Sequence, residues 1–459
     1  MIRSNVNFSK IQFLLLYLAG GCLLAFLYNP ASNFEETSLF VTLLLGYFWT
    51  AGLLLFAKFR FNLYLFEPLS FVGILLLSIY IIKPLIDLNT LTLYEHGVNV
   101  ISGGIKATWI FLLSFTCFFL GYYKKKRLSP KNHSASFRPS YQLPTSILYL
   151  AWGMCFAAAL FCLYSMGLSW QFIFSLGTEG ERMLEEGNTP LLFLSHLGIS
   201  AVSLWFMIFI KSHNQVLKTV LTGLMGTYLI LRGGRWLMLV FLAAPVTYYY
   251  LKRQKAPRLW TVLLGGGLFL FIAAWMQSNR SLGDGLQGFG EVGFTLQKLL
   301  APFQSDLNTY RVFYGMVLNF PAKYPHFWGK TFAYALILFI PRFLWKGKPD
   351  NPVRDMTEQS LNESARTAGA ATSCVGEFFV NFGTVGSCIG MYIYGYGAAL
   401  LKRLYYAKDE NLLLMYCVLY PMLFQWIARG NFSGNFYSTL FAIFPFYLPW
   451  FYHQFRRKL

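Results

Sequence analysis

Long apolar stretches follow one another along almost the whole chain, and they constrain the fold more than any other feature of the sequence. Each approaches the ~20 residues that an α-helix needs to cross a bilayer. Only 12% of the 459 residues are charged, about half the fraction typical of a soluble chain. The pattern predicts an all-α polytopic integral membrane protein with twelve transmembrane helices. The predicted spans are 12–28, 39–57, 69–86, 107–123, 146–165, 191–210, 215–231, 236–251, 259–276, 376–401, 412–428 and 436–455.

The charges between these spans are distributed unevenly between the two sides of the membrane. One side receives both termini and the segments 58–67, 124–145, 211–218, 252–258 and 402–411. That side carries 22 Lys and Arg but only three acids, so it holds the whole net charge of +19. The positive-inside rule makes it cytoplasmic, with both termini in the cytoplasm. Clusters such as "KKKR" (124–127) are therefore interpreted as topological anchors, and no nucleic-acid partner is expected.

One loop on the predicted outer side is much longer than the others. A loop of more than ~15 residues is usually functional or disordered, and this one is not of low complexity. Helices are predicted within it near 292–301 and 305–318. We divide the chain into an N-terminal transmembrane region (1–276), a large outer loop (277–375) and a C-terminal transmembrane region (376–459).

The segment 331–345 within this loop is apolar but short, and it contains Pro341 and Arg342. Counting it as a span would move the basic residues at 402–403 and at the C-terminus to the outer side. We therefore interpret it as a re-entrant or interfacial helix.

Two arginines interrupt the apolar pattern in "LRGGRWLMLV" (231–240). Arg232 and Arg235 fall at the tip of a tight outer hairpin between the seventh and eighth spans. They could extend towards lipid headgroups, but the positive-inside rule disfavours basic residues in short outer loops. Consecutive glycines between them also allow backbone N–H groups to converge on an anion. The stretch therefore predicts an anion site.

Other arginines recur on the predicted outer side, at junctions between loops and spans. Arginine is suited to holding phosphate because its guanidinium offers a planar, bidentate set of donors. We predict that some of these arginines bind the same anion as Arg232 and Arg235, whereas Arg354 and Arg366 are interpreted as ordinary surface residues. The predicted binders are Arg280, Arg311, Arg342 and Arg429.

The anion expected at the outer face of a membrane is a lipid-linked pyrophosphate. The sequence has no Asp-x-Asp motif, no P-loop and no dinucleotide-binding glycine pattern, so no metal site or cofactor is predicted. Glycosyl transfer fits this setting, because the leaving pyrophosphate gains negative charge that arginines can stabilise.

Such a transfer needs a base for the acceptor hydroxyl. Glu377, at the point where the long loop meets the membrane, is the first candidate, although it could instead complement a helix dipole. His326 is a weaker candidate. The remaining predicted outer acids of interest are Glu35, Glu36, Glu179, Glu181, Asp284, Glu291 and Asp306.

Four motifs in the region 225–455 resemble a known family. They are "GGR" (233–235), "IPRFLWKGKP" (340–349), "GEFFVNFG" (376–383) and "ARGNF" (428–432). Together they resemble Wzy-type oligosaccharide repeat-unit polymerases, such as the O-antigen and enterobacterial common antigen polymerases.

The resemblance implies an enzyme of the bacterial inner membrane with a C-type glycosyltransferase-like helical fold. It implies transfer of an undecaprenyl-pyrophosphate-linked glycan onto another lipid-linked repeat unit at the periplasmic face, with functional outer-loop arginines. Expected partners are a Wzx-type flippase and a Wzz-type chain-length regulator. The resemblance assigns no specific base.

Three alternative functions stay open from the sequence. An O-antigen ligase would use the same donor and resembles this chain in having an outer-loop histidine, here His326. A C-type transferase of single sugars would need an acidic pair in the first outer loop, where Glu35 and Glu36 stand. A polysaccharide flippase would need ionisable residues within spans or internal repeats, and the spans contain few such residues.

The charge distribution makes a testable prediction about orientation. In a background without the seven native cysteines, Lys126→Cys should react with a membrane-impermeant thiol reagent only after the membrane is opened, and Asp350→Cys should react in intact spheroplasts. Labelling of both positions from outside would contradict the twelve-span topology.

Overall fold

The structure is a computed structural model, and it describes most of the membrane-spanning region of the chain. The described residues are 10–26, 34–88, 94–95, 98–99, 101–124, 143–165, 189–232, 235–253, 307–340, 344–361, 371–406 and 409–458, with isolated positions between 257 and 271. These ranges are helical apart from connecting turns and one short β-hairpin. In that hairpin Tyr94–Glu95 (β1) pairs antiparallel with Val98–Asn99 (β2).

The described helices are numbered in chain order. They are α1 Lys10–Phe26, α2 Phe34–Phe61, α3 Pro68–Leu88, α4 Ile101–Tyr123, α5 Thr145–Ser165, α6 Thr189–Lys211, α7 Gln215–Arg232, α8 Arg235–Arg253, α9 Thr309–Asn319, α10 Lys330–Ile337, α11 Pro352–Ser360, α12 Ser373–Tyr406, α13 Glu410–Arg429 and α14 Phe432–Lys458. Within them, α3 contains a π-helical turn at Ser78–Ile82, and α13 ends in another at Gln425–Arg429.

Eleven of the predicted spans coincide with helices in the described ranges, and the other, 259–276, lies almost wholly outside them. Seven described helices contain segments long and apolar enough to cross a membrane: α2, α3, α4, α5, α6, α12 and α13. The predicted class, an all-α polytopic membrane protein, is confirmed. The count of twelve spans and the three-part division of the chain stay predictions.

Helix α3 has a buried, paired carboxylate at each end. Its 21 residues are about 30 Å long, which matches the hydrocarbon core of a bilayer. At one end the buried carboxylate of Glu67 lies 2.7 Å from Lys402 Nζ and accepts a 2.9 Å hydrogen bond from the Tyr122 hydroxyl. At the other end buried Asp87 lies 2.8 Å from Arg311 Nη2. Because buried charges are costly unless paired, both ends of α3 hold neighbouring segments in place.

The helices pack in two groups, each with its own apolar core. The first core joins α2, α3, α4, α9 and both parts of α12. The second joins α5 to α8 with α13 and α14. Helix α12 packs closely on α4, where a Cβ at Gly395 would fall 2.0 Å from the Phe118 carbonyl oxygen. This small residue brings the two backbones together, as is common between membrane helices.

Helix α12 is broken at Gly383, whose φ of 67° and ψ of −162° are not helical. The residues before the break fold back on those after it, since Ser387 Oγ donates a 3.2 Å hydrogen bond to the Val375 carbonyl. Twelve residues apart on a straight helix, these atoms would be separated by about 18 Å. A Cβ at Gly390 would likewise fall 2.3 Å from the Phe378 ring. The predicted span 376–401 therefore corresponds to a candidate membrane helix that is broken near its start, a feature that an apolar pattern does not reveal.

The segment 331–345 forms only a short helix. Helix α10 has eight residues and is about 12 Å long, too short to cross a bilayer. It packs against α14, where the Tyr437 hydroxyl donates a 2.7 Å hydrogen bond to the Ala335 carbonyl. Whether it is re-entrant or interfacial stays a prediction. Of the two predicted loop helices, 305–318 corresponds to α9 and 292–301 lies outside the described residues.

Candidate functional site

Glu377 lies in the half-helix that precedes the break in α12, and its side chain is only 2% exposed. Both carboxylate oxygens accept from the backbone N–H of Phe432, at 3.1 and 3.0 Å. Phe432 is the first residue of α14, so the carboxylate stands at the positive end of that helix dipole. Glu377 therefore complements a helix N-terminus, which is the alternative interpretation of the sequence. The helix that it complements is α14, however, and not α12, to which Glu377 belongs.

A second polar side chain, Asn381, connects the helix around this carboxylate to the start of α10. Its Nδ2 donates to the Glu377 carbonyl and to Thr331 Oγ1, both at 2.8 Å. Its Oδ1 accepts from the Gly329 N–H at 2.9 Å. The backbone of Phe327 and Trp328 also donates to the carbonyls of residues 380 and 381. The loop segment 326–331 is thus fastened to the broken part of α12.

The turn before α14 completes the cluster. The Thr372 N–H donates a 3.3 Å hydrogen bond to the Arg429 carbonyl. Gly430 has a φ of 64°, and a Cβ there would fall 2.5 Å from Thr372 Oγ1, so only glycine fits without displacement. Three stretches distant in sequence therefore meet around Glu377: 326–331, 372–383 and 429–432. We call this assembly the Glu377 cluster.

His326 stands at the edge of the Glu377 cluster, with its ring half-buried. Its Nδ1 lies 3.1 Å from the Val380 carbonyl oxygen. A carbonyl can only accept, so Nδ1 carries the proton and Nε2 of the neutral ring carries a lone pair. Nε2 lies next to the break in α12, since a Cβ built on Gly383 would fall 3.4 Å from this nitrogen. In this tautomer Nε2 can accept a proton.

Arg232 and Arg235 occupy the hairpin tip that the sequence predicted. Helix α7 ends at Arg232 and α8 begins at Arg235, while Gly233 and Gly234 lie outside the described residues. Both side chains are half-buried, and Arg232 Nη1 donates a 3.2 Å hydrogen bond to the Ser195 carbonyl. Arg235 is the first residue of the 19-residue α8, so a basic residue stands at the positive end of that helix dipole, an arrangement that favours an anion.

A row of aromatic rings connects the arginine hairpin with the Glu377 cluster. The row starts at His196, which follows the Ser195 that Arg232 contacts. It ends at Phe332, which follows the Thr331 that Asn381 contacts. Neighbouring ring centroids are 4.2 to 5.9 Å apart along the series His196, Phe339, Tyr437, Phe436, Phe432 and Phe332. The two predicted parts of the site are therefore joined by continuous packing.

Arg311 has a different environment from the one predicted for it. It is 9% exposed, and besides the Asp87 carboxylate its Nε donates a 3.0 Å hydrogen bond to the Tyr310 hydroxyl. Lys83 and Tyr310 also bond to Asp87. Burial, and then the negative charge of Asp87, raises the pKa of the Tyr310 phenol well above its usual range, so it stays a neutral donor. The geometry supports a role for Arg311 in holding α9 against α3.

The other predicted residues are only partly covered. Arg429 is half-buried at the end of α13 and belongs to the Glu377 cluster, whereas Arg280 and Arg342 lie outside the described residues. Within the described ranges no group of three or more His, Cys, Asp or Glu side chains could hold a metal ion.

Sequence reasoning missed two polar groups that organise this region. Asp87 was not considered, although Lys83 four residues earlier signals an ion pair on one helix face. Lys348, in "IPRFLWKGKP", is buried and donates from Nζ to the carbonyls of Leu338 (2.6 Å) and Ile340 (3.1 Å). It interacts with the negative end of α10, and no spacing in the sequence indicates that contact.

The fold and the cluster define a polytopic helical membrane protein whose polar centre is built from a broken helix and a loop. Against known proteins, the family model described as O-antigen polysaccharide polymerase Wzy matches residues 9–454, nearly the whole chain. The chain belongs to this family, and it is a membrane-bound polymerase of O-antigen polysaccharide biosynthesis that acts on lipid-linked glycans. Searches of curated proteins and of solved structures gave no match.

The position of Glu377 predicts a stability effect. Glu377→Ala should lower the free energy of unfolding by about 1–3 kcal/mol, because the Phe432 N–H loses its buried acceptor. Thermal unfolding of the purified protein in detergent measures this, with Glu35→Ala, an exposed carboxylate on α2, as the control. Equal melting temperatures for the two variants would contradict the structural role.

Proposed function

We propose that this protein joins undecaprenyl-pyrophosphate-linked oligosaccharide repeat units at the periplasmic face, by glycosyl transfer that uses no metal ion. The observation that carries the proposal is the arginine hairpin, where Arg232 and Arg235 flank the N-terminus of α8 in a member of the Wzy family. A pyrophosphate bound there would meet two guanidinium groups and the positive end of a helix dipole.

In the proposed reaction the acceptor hydroxyl oxygen of one repeat unit forms a bond to the anomeric carbon of another. The bond from that carbon to the pyrophosphate oxygen breaks, and the electron pair leaves with undecaprenyl pyrophosphate. The arginines stabilise the charge that develops on this leaving group. The hydroxyl proton passes to a base on the protein.

For the base, the hydrogen bond from His326 Nδ1 to the Val380 carbonyl supports His326, because it leaves Nε2 as a proton acceptor. Glu377, the base predicted from the sequence, is buried, and its carboxylate already accepts from the Phe432 backbone. The contacts of Glu377 instead support a role in positioning the segment "ARGNF" (428–432) relative to the loop. We therefore propose His326 as the base and Glu377 as a positioning residue.

The remaining features of the proposal follow from the charge distribution and the family. Both termini lie in the cytoplasm, and the large loop 277–375 lies in the periplasm, between the transmembrane regions 1–276 and 376–459. Arg280, Arg342 and Arg429 assist in binding the pyrophosphate. A flippase supplies the substrate, and a chain-length regulator acts on the same polymerase.

The arginine hairpin is tested by a glycan ladder from a deletion strain carrying each variant. Arg232→Ala and Arg235→Ala should each reduce chain extension by about 100-fold or more, as the loss of a transition-state donor does. Lysine at either position should restore little, because an ammonium lacks the planar fork. Arg60→Ala, which removes an exposed arginine at the end of α2, is the control. Normal ladders in both alanine variants at normal protein level would refute the anion site, and loss of even single attached repeats would indicate a ligase.

The base assignment has its own test. His326→Gln should slow chain extension by about 10²–10⁴-fold, the range for a lost general base, while thermal unfolding stays close to that of the wild type. A His326→Gln variant that builds a normal ladder would exclude the histidine. If Glu377→Gln then abolished extension without changing thermal unfolding, the base would be Glu377.

A further inference from the structure

A cavity of about 570 Å³ opens between the end of α6 and the last turns of α8, far along α8 from the arginine hairpin. This volume falls within the range of small-molecule sites. Its walls are apolar and aromatic, and they include Phe209, Ile210, Pro245, Val246, Tyr249 and Gly265. We call it the α6–α8 groove.

The far wall of the groove is attached to α8. The Tyr250 hydroxyl donates a 3.1 Å hydrogen bond to Thr261 Oγ1, and both residues line the cavity. Gly265 is exposed, and a Cβ built there meets no atom of the described residues within 4 Å. The Tyr250–Thr261 bond therefore holds one wall of the groove against α8, and an exposed glycine lines the same cavity.

Three cations lie at or near the groove: Lys252 and Arg253 line it, and Lys218 lies over the ring of its wall residue Phe209. Lys218 Nζ lies 5.7 Å from the centroid of the Phe209 ring, and the Arg253 guanidinium lies 4.3 Å from that of Tyr249. Lys252 forms an ion pair with Glu410 at 3.2 Å. Within the described ranges neither Lys218 nor Arg253 has a carboxylate partner. The mouth thus carries two positive charges that no described acid balances.

The groove lies at the same end of the bundle as Lys211, the last residue of the candidate membrane span in α6. A ligand at this depth that fills an apolar space and carries negative charge at one end is an amphiphile. A soluble anion would not use the aromatic walls, and a neutral lipid would not use the cations. Basic pockets between transmembrane helices are typical sites for acidic lipid headgroups.

We propose that the α6–α8 groove binds an anionic glycerophospholipid, with an acyl chain between α6 and α8 and the headgroup phosphate beside Arg253 and Lys218. Arg253 donates a 2.6 Å hydrogen bond to the Tyr249 hydroxyl, which orients its guanidinium at the mouth. The site is separate from the arginine hairpin, which lies at the opposite end of α8, and it does not depend on the proposed reaction.

The experiment uses the full-length protein, delipidated in detergent and incubated with palmitoyl-oleoyl phosphatidylglycerol or with the phosphatidylcholine of the same chains. Native mass spectrometry counts the retained lipids. The wild type should retain phosphatidylglycerol at concentrations where phosphatidylcholine dissociates. Arg253→Gln should weaken retention about fivefold, the loss expected for one basic residue near a membrane surface (roughly 1 kcal/mol). Gly265→Phe should weaken it further by filling the groove without removing a charge.

Two matched control variants distinguish lipid binding at this groove from a general attraction between anionic lipid and the protein surface. Arg60→Gln removes an arginine from the end of α2, and Gly397→Phe adds a ring at an exposed α12 glycine whose Cβ meets no described atom within 4 Å. Both should retain phosphatidylglycerol as the wild type does. Equal retention of the two lipids by the wild type, or equal losses in Arg253→Gln and Arg60→Gln, would overturn the proposal. So would unchanged retention in Gly265→Phe, since the acyl chain would then lie elsewhere.

Discussion

The contact between the Glu377 carboxylate and the backbone N–H of Phe432 is the interaction on which the centre of this protein depends. A carboxylate that is 2% exposed in an apolar bundle costs several kcal/mol unless donors surround it. The N-terminus of α14 supplies such donors, and the helix in turn gains an acceptor for groups that have no partner within the helix. Each element therefore stabilises the other, and together they fix where the turn 429–431 lies.

The broken helix α12 follows the same physical rule. Irregular backbone is tolerated at membrane depth only where protein or a water-filled cavity surrounds it. Around Gly383 the freed backbone groups are paired by the loop, since Phe327 and Trp328 donate to the carbonyls of residues 380 and 381. The loop is thus the partner that allows the break to exist. This interdependence gives the cluster a fixed geometry at the point where His326 stands.

The arginine hairpin and the Glu377 cluster have complementary properties. The hairpin places one arginine at the end of α7 and another at the start of α8, while the cluster orients the His326 ring through the Val380 carbonyl. A continuous row of rings from His196 to Phe332 sets their separation. Arg311, although chosen from the sequence for its charge, contributes to this arrangement through Asp87 by anchoring α9. Among the arginines chosen from the sequence, Arg311 is thus the one whose described contacts support a structural role.

The sequence by itself determined the class of fold, because apolar stretches of membrane length leave the chain no stable soluble alternative. It also located the boundary between α7 and α8 at Arg232 and Arg235 and a short helix near 331–345, because charged residues and a proline interrupt the apolar pattern there. Only the tertiary structure decided that α12 breaks at Gly383, that Glu377 serves α14, and that Arg311 pairs with Asp87. Those features depend on partners 50 or more residues away. The local sequence pattern shows which face of a helix is apolar. A hydrogen bond between distant segments produces no periodic pattern in either segment, so it cannot be predicted from that signal.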